Sequence, residues 1–160
     1  MTTLALSVSL ALILSFIESR IPAFVAIPGI KMGLANIAVI FTLYKLGARE
    51  AIVVSGIRVV LVSMLFGSPV SFIYSISGAV LSLTAMILLK KLTPLGEITV
   101  SIVGGIMHNV GQIGAASFML ATNVVVYYLP FLILSGTIAG VAVGVVSGLL
   151  IKKVNLDKIK

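Results

Sequence analysis

Cysteine is absent from these 160 residues, which excludes a disulfide framework, a thiolate nucleophile and any cysteine-based metal site. Charge is nearly as scarce. Asp, Glu, Lys and Arg together make up 9% of the chain, only four residues are acidic, and the single histidine, His108, has no second imidazole or thiolate with which to complete a metal site. No metal and no cofactor is expected. A phosphate-cradling GxxxxGK[ST] loop does not occur either, so the chain cannot hydrolyse ATP at such a loop. The one aspartate, Asp157, lies in the tail.

What fills the chain instead is apolar: 60% of the residues are hydrophobic, a balance from which a small water-facing surface cannot be built. The solvent must be lipid. A hydrocarbon core of about 30 Å takes roughly 20 helical residues, so this length accommodates about six spans and one transmembrane domain over residues 1–160. The fold class expected is an all-α integral membrane protein, a six-transmembrane-helix bundle. Fifteen glycines suit membrane helices that approach each other closely.

Charged and turn residues divide the chain into runs at 2–18, 30–45, 50–66, 70–89, 98–120 and 124–151. The first run has neither a basic start nor an A-x-A site and is read as a retained helix rather than a signal peptide. The second and third are short enough to stand upright or to stop short of one surface. Between the first two lies the apolar loop IPAFVAIPGIK, in which Pro22 and Pro28 oppose regular helix.

The net charge of +7 does not point to nucleic acid, because the basic residues sit mainly between apolar runs. With the amino terminus in the cytoplasm, the inner loops and tail hold Lys45, Arg49, Lys90, Lys91, Lys152, Lys153, Lys158 and Lys160, against Arg20 and Lys31 outside. The positive-inside rule therefore predicts a multi-pass protein of the cell membrane with both termini cytoplasmic. Tyr127 and Tyr128 suit an interface as aromatic anchors.

Arg58 is the one cation deep within a run, where it costs on the order of 3 kcal/mol unless it faces a partner or water. It either pairs with Glu18 or helix-end carbonyls and locks the bundle, or binds an anion. In the fifth run Gly104, His108, Gly111, Gln112 and Ala115 share one helical face, with Asn109 beside it. Such side chains in hydrocarbon serve as interhelical glue or as ligand contacts.

At a rise of about 1.5 Å per residue, His108 and Gln112 lie about 15 and 20 Å from the inner surface, Asn36 about 9 Å below the outer one, and Arg58 about 12 Å from the inside. These groups are placed to line one cavity open outward. Glu18, Arg20 and Lys31 flank the apolar loop, either as solvated helix ends or as a gate or ion pair beneath a lid.

Small residues supply the remaining pattern. Ser71, Ser75, Gly78 and Ser82 share a face on the fourth run, and Gly136, Gly140, Gly144 and Gly148 make a smooth ridge on the sixth, both read as packing surfaces. On the first run, Ala5 with Ser9 and Ser7 with Ala11 have small-xxx-small spacing. That spacing serves either a partner helix or internal packing.

At IESRIP, PGIKMGLANI, GIR, SISGAVLS, GGIMHNVGQ and YLP, the chain resembles a bacterial family called Gx transporters, also labelled heptaprenyl diphosphate synthase component I. That family in turn is similar to the substrate-binding S components of energy-coupling factor transporters. The resemblance implies six helices, an outward pocket capped by the first loop, and Lys31, Asn36, Arg58, His108, Asn109 and Gln112 as ligand-binding residues. It also implies that Ala5 and Ser9 touch a partner helix of an energy-coupling module, a transmembrane subunit plus ATPases. The function expected is capture of a small anionic or amphipathic molecule, such as a vitamin, flavin or isoprenoid precursor, from outside. The alternative is a non-catalytic membrane subunit associated with heptaprenyl diphosphate synthesis. Catalysis is not expected, because prenyl diphosphate chemistry ordinarily uses paired aspartates to hold magnesium.

Overall fold

The computed structural model describes residues 2–20 and 33–154. Among these residues the chain forms six α-helices and no strand: α1 (Thr2–Arg20), α2 (Asn36–Lys45), α3 (Ala48–Phe66), α4 (Pro69–Leu92), α5 (Glu97–Leu120) and α6 (Leu129–Lys153), with a 3-10 turn, Val124–Tyr128, before α6. Local chemistry sets several of the boundaries. The Ser68 hydroxyl accepts the Ser71 N–H at 3.2 Å and Pro69, which has no N–H, opens α4, so two of the groups that a helix start leaves unpaired are accounted for. Gly47, at φ 130, makes the reversal between α2 and α3 in a region that a side chain would strain.

Two of the expected runs are shortened. The second was read from residue 30, but Gly33 adopts φ 70 and Leu34–Ala35 form a turn, so α2 starts only at Asn36. The sixth was read as continuous from 124, whereas Pro130, which has no N–H to donate, sits in the first turn of a new helix after the 3-10 segment. α3, by contrast, starts earlier than expected and takes Arg49 and Glu50 into its first turn.

α2 is the axis of the bundle. Seven of its ten residues, Ile37 to Leu43, are buried, and it touches α1, α3, α5 and α6. Ala11, Ala51, Val54, Leu83, Val100 and Val143 complete the core around it. α4, α5 and α6 form a second, tighter unit built on glycine. An added Cβ on Gly140 would lie 2.6 Å from the Ile102 Cα, and one on Gly111 would lie 2.6 Å from the Ser77 carbonyl oxygen. Only hydrogen fits at these crossings.

The outside of the bundle is as apolar as its inside. Met64, Phe118 and Tyr127 are 79%, 88% and 80% exposed, and leaving side chains of that size in water forgoes about 1.5–3 kcal/mol each. Three segments, Thr2–Arg20, Pro69–Leu92 and Val124–Lys153, are long and apolar enough to cross a membrane. The other helices depart from that class where they carry polar groups or stop early. α3 holds Arg49, Glu50 and Arg58, α5 holds His108, Asn109 and Gln112, and α2 has ten residues, about 15 Å or half a hydrocarbon core. These three helices carry five of the six residues expected to bind ligand.

Candidate functional site

The short second helix positions the site. Because α2 starts at Asn36, its first side chain is half-buried, on a helix packed against α3 and α1. There the Arg58 guanidinium donates through Nη1 to the Asn36 side-chain oxygen at 3.4 Å. That is longer than a good N–H···O bond, so Asn36 orients the cation more than it stabilises it. Arg58 is partly buried within an apolar helix, and a guanidinium does not give up its proton in proteins.

The compensating charge is Glu18, near the end of α1, which acts on Arg58 electrostatically. Among the described residues the two make no direct ion pair. One Glu18 carboxylate oxygen instead accepts the backbone N–H of Gly33 at 2.5 Å, just ahead of α2, a short charge-assisted bond. Gly33 also lies against Asn36, whose Nδ2 would be 3.5 Å from an added Cβ. Glu18, Gly33, Asn36 and Arg58 therefore form one polar cluster drawn from three helices and a turn.

Arg20 is turned away from this cluster. Its guanidinium lies 5.0 Å from the centre of the Phe16 ring, which in turn meets Phe66 at 5.5 Å, and all three are on the exposed side. Among the described residues Arg20 makes no contact with this cluster, while Glu18 is part of it. Lys31, the remaining cation expected here, lies outside the described residues.

The polar residues of α5 separate onto two faces. His108 and Gln112 face α4: an added Cβ on Gly78 would sit 2.9 Å from the His108 Cε1 and 3.0 Å from the Gln112 Cγ. Gly78 thus makes room for both side chains, and the small-residue face of α4 is a packing surface. Asn109 is buried and faces α6, donating to the Leu132 carbonyl at 2.6 Å. It is interhelical glue in this arrangement.

Between α2, α4, α5 and α6 lies a small cavity of about 20 Å³, bordered by Asn36 and Ser101 on its polar side and by Ile40 and Met86 on its apolar side. It has room for about one water molecule, so it is no site for an organic ligand. Ser101 Oγ is buried there without a partner among the described residues.

At the opposite end of α2, Lys90 donates to the Leu43 carbonyl and lies 4.9 Å from the Tyr44 ring, while the Tyr44 hydroxyl donates to the Leu95 carbonyl at 3.3 Å. A cation at a helix C-terminus satisfies carbonyls that have no helical partner. Sequence reading missed this cap, counting Lys90 only as a topology signal. On α1 the two small-residue pairs part company: Ser7 and Ala11 are buried against the bundle, and Ala5 and Ser9 are exposed.

A family model described as Heptaprenyl diphosphate synthase component I matches residues 7–150. Searches of curated proteins and of solved structures found no match.

Proposed function

Because the chain belongs to the heptaprenyl diphosphate synthase component I family, whose match takes in every described residue of the polar cluster, we propose that it is a membrane-embedded binding subunit. It captures a small anionic or amphipathic molecule from outside the cell. The observation that carries this reading is Arg58, a cation held within an apolar helix by one long hydrogen bond and a carboxylate at a distance. A cation so lightly committed is suited to an incoming anion, and the surrounding helices are suited to an apolar body.

In this reading all six helices lie in the membrane, five of them crossing it and α2 reaching only part of the way, and both termini are cytoplasmic. The basic helix ends at Lys45, Lys90, Lys91, Lys152 and Lys153 favour that orientation. Ligand enters beside Arg58 and Asn36, with His108 and Gln112 further along the bundle as secondary contacts. Energy comes from a partner, as in the energy-coupling factor transporters whose S components the chain resembles. Its membrane subunit docks where Ala5 and Ser9 leave α1 shallow.

The family's description supports a second reading, a non-catalytic membrane subunit of prenyl diphosphate synthesis. Native mass spectrometry of gently purified protein, with extraction of any small molecule that travels with it, separates the two. Transport predicts a stoichiometric anionic or amphipathic compound and co-purifying ATPase subunits. The second reading predicts a soluble prenyl synthase chain instead. Arg58→Ala protein that remains folded and keeps the same bound compound would overturn the anion site.

A further inference from the structure

The chain has four acidic residues, and their placement gives one of them a special position. Glu50 and Glu97 lie in the first turns of α3 and α5, and Asp157 lies in the tail outside the described residues. Glu18 is the acid whose charge Arg58 feels. Its carboxylate does not dock on the guanidinium. It is held instead by the Gly33 N–H, in the turn that leads directly to Asn36 and so to Arg58.

Glu18 thus holds one of three neighbouring groups that suit an anion. The backbone N–H of Gly33, the Asn36 side chain and the Arg58 guanidinium are the kinds of group that receive an oxyanion. An incoming anion at Arg58 meets Glu18 as a like charge in a medium of low dielectric, where repulsion at a few ångströms reaches several kcal/mol. The two negative charges cannot share the cluster at little cost. One has to leave, and Glu18 is tied there by a single described hydrogen bond at the end of a helix.

We infer that Glu18 is a built-in competitor for the ligand, a tethered carboxylate that holds the Gly33 N–H beside Asn36 and Arg58 until an oxyanion-headed amphiphile displaces it. The inference rests on the binding reading proposed above and adds to it the class of headgroup and the step that admission requires. Displacement breaks the Glu18–Gly33 bond, so the start of α2 is released as the ligand enters. Affinity is held down by the tether, which favours letting cargo go over keeping it.

Octyl phosphate, a single oxyanion on a short apolar tail, is the probe. Its binding to the full chain in lipid nanodiscs is measured by calorimetry for wild type, Glu18→Gln, Glu18→Asp and Arg58→Ala. Glutamine keeps an acceptor for the Gly33 N–H and removes the charge, so Glu18→Gln should bind about tenfold more tightly, while Glu18→Asp stays near wild type and Arg58→Ala does not bind. Hydrogen exchange on wild type supplies a second readout that needs no variant: the Gly33 amide should lose protection when octyl phosphate is added. If Glu18→Gln binds no better and Gly33 protection is unchanged while Arg58→Ala still abolishes binding, the competitor is refuted and the anion site stands. If Arg58→Ala binds like wild type, or no protein binds the probe, both fall.

Discussion

Gly140→Ala tests whether the bundle is held together by contact between bare backbones. The added methyl would lie 2.6 Å from the Ile102 Cα and 3.0 Å from the Ile102 nitrogen, where ordinary contact begins at 3.4 Å. The obstacle is backbone on both helices, so no side chain can turn aside, and α5 and α6 must separate by about 0.8 Å, the difference between 3.4 and 2.6 Å. Overpacking of this kind costs about 1–3 kcal/mol. The same separation stretches the Asn109–Leu132 bond from 2.6 Å to about 3.4 Å, weakening it at a cost of up to roughly 0.6 kcal/mol by the usual worth of such bonds in membrane proteins. The expected loss is therefore about 1–3.5 kcal/mol. Reversible unfolding in mixed micelles, followed by circular dichroism, measures it. Gly114→Ala is the control, because an added Cβ there meets nothing within 4 Å, and it should stabilise α5 by roughly 0.5–1 kcal/mol. If the two substitutions have equal effects, close glycine packing does not hold α5 to α6.

Two further outcomes are expected. Lys90→Met removes the cap from the end of α2 and should cost about 1–2 kcal/mol in the same unfolding assay, with Lys90→Arg losing less, since the cation serves both the Leu43 carbonyl and the Tyr44 ring. Because the chain has no cysteine, Ser68→Cys and Lys91→Cys each introduce a sole reactive thiol at opposite ends of α4. An impermeant maleimide on intact cells should label Cys at 68 and spare Cys at 91, and the reverse would invert the proposed topology.

The helices were legible because apolar runs broken by charge leave few other assignments, and α1, α3, α4 and α5 fall within three residues of the expected bounds at each end. The start of α2 was not, because the residues from Ile30 onward are as apolar as those inside the helix. A backbone twist at Gly33, which hydropathy does not register, sets the boundary. The same limit governed the site. Arg58 stood out as a lone cation in an apolar run, and its bond to Asn36 lies within the expected set. Helical spacing grouped Gly104, His108 and Gln112 correctly on one face, but it could not say that α4 covers that face or that Asn109 turns to α6. Those facts depend on which helices are neighbours, and the neighbours are chosen by glycine contacts far apart in the chain.

The two ends of α2 are fastened differently. At Leu43 a lysine from α4 donates to a carbonyl, while at Gly33 the fastening is the Glu18 carboxylate, which the proposed anion would dislodge. A rod pinned at one end and latched at the other is a lever. In the proposed binding step, opening the latch would shift Asn36 more than Tyr44, so that motion begun at the Gly33 end would reach the Lys90 end as a small change of tilt, delivered where α4 and α5 turn.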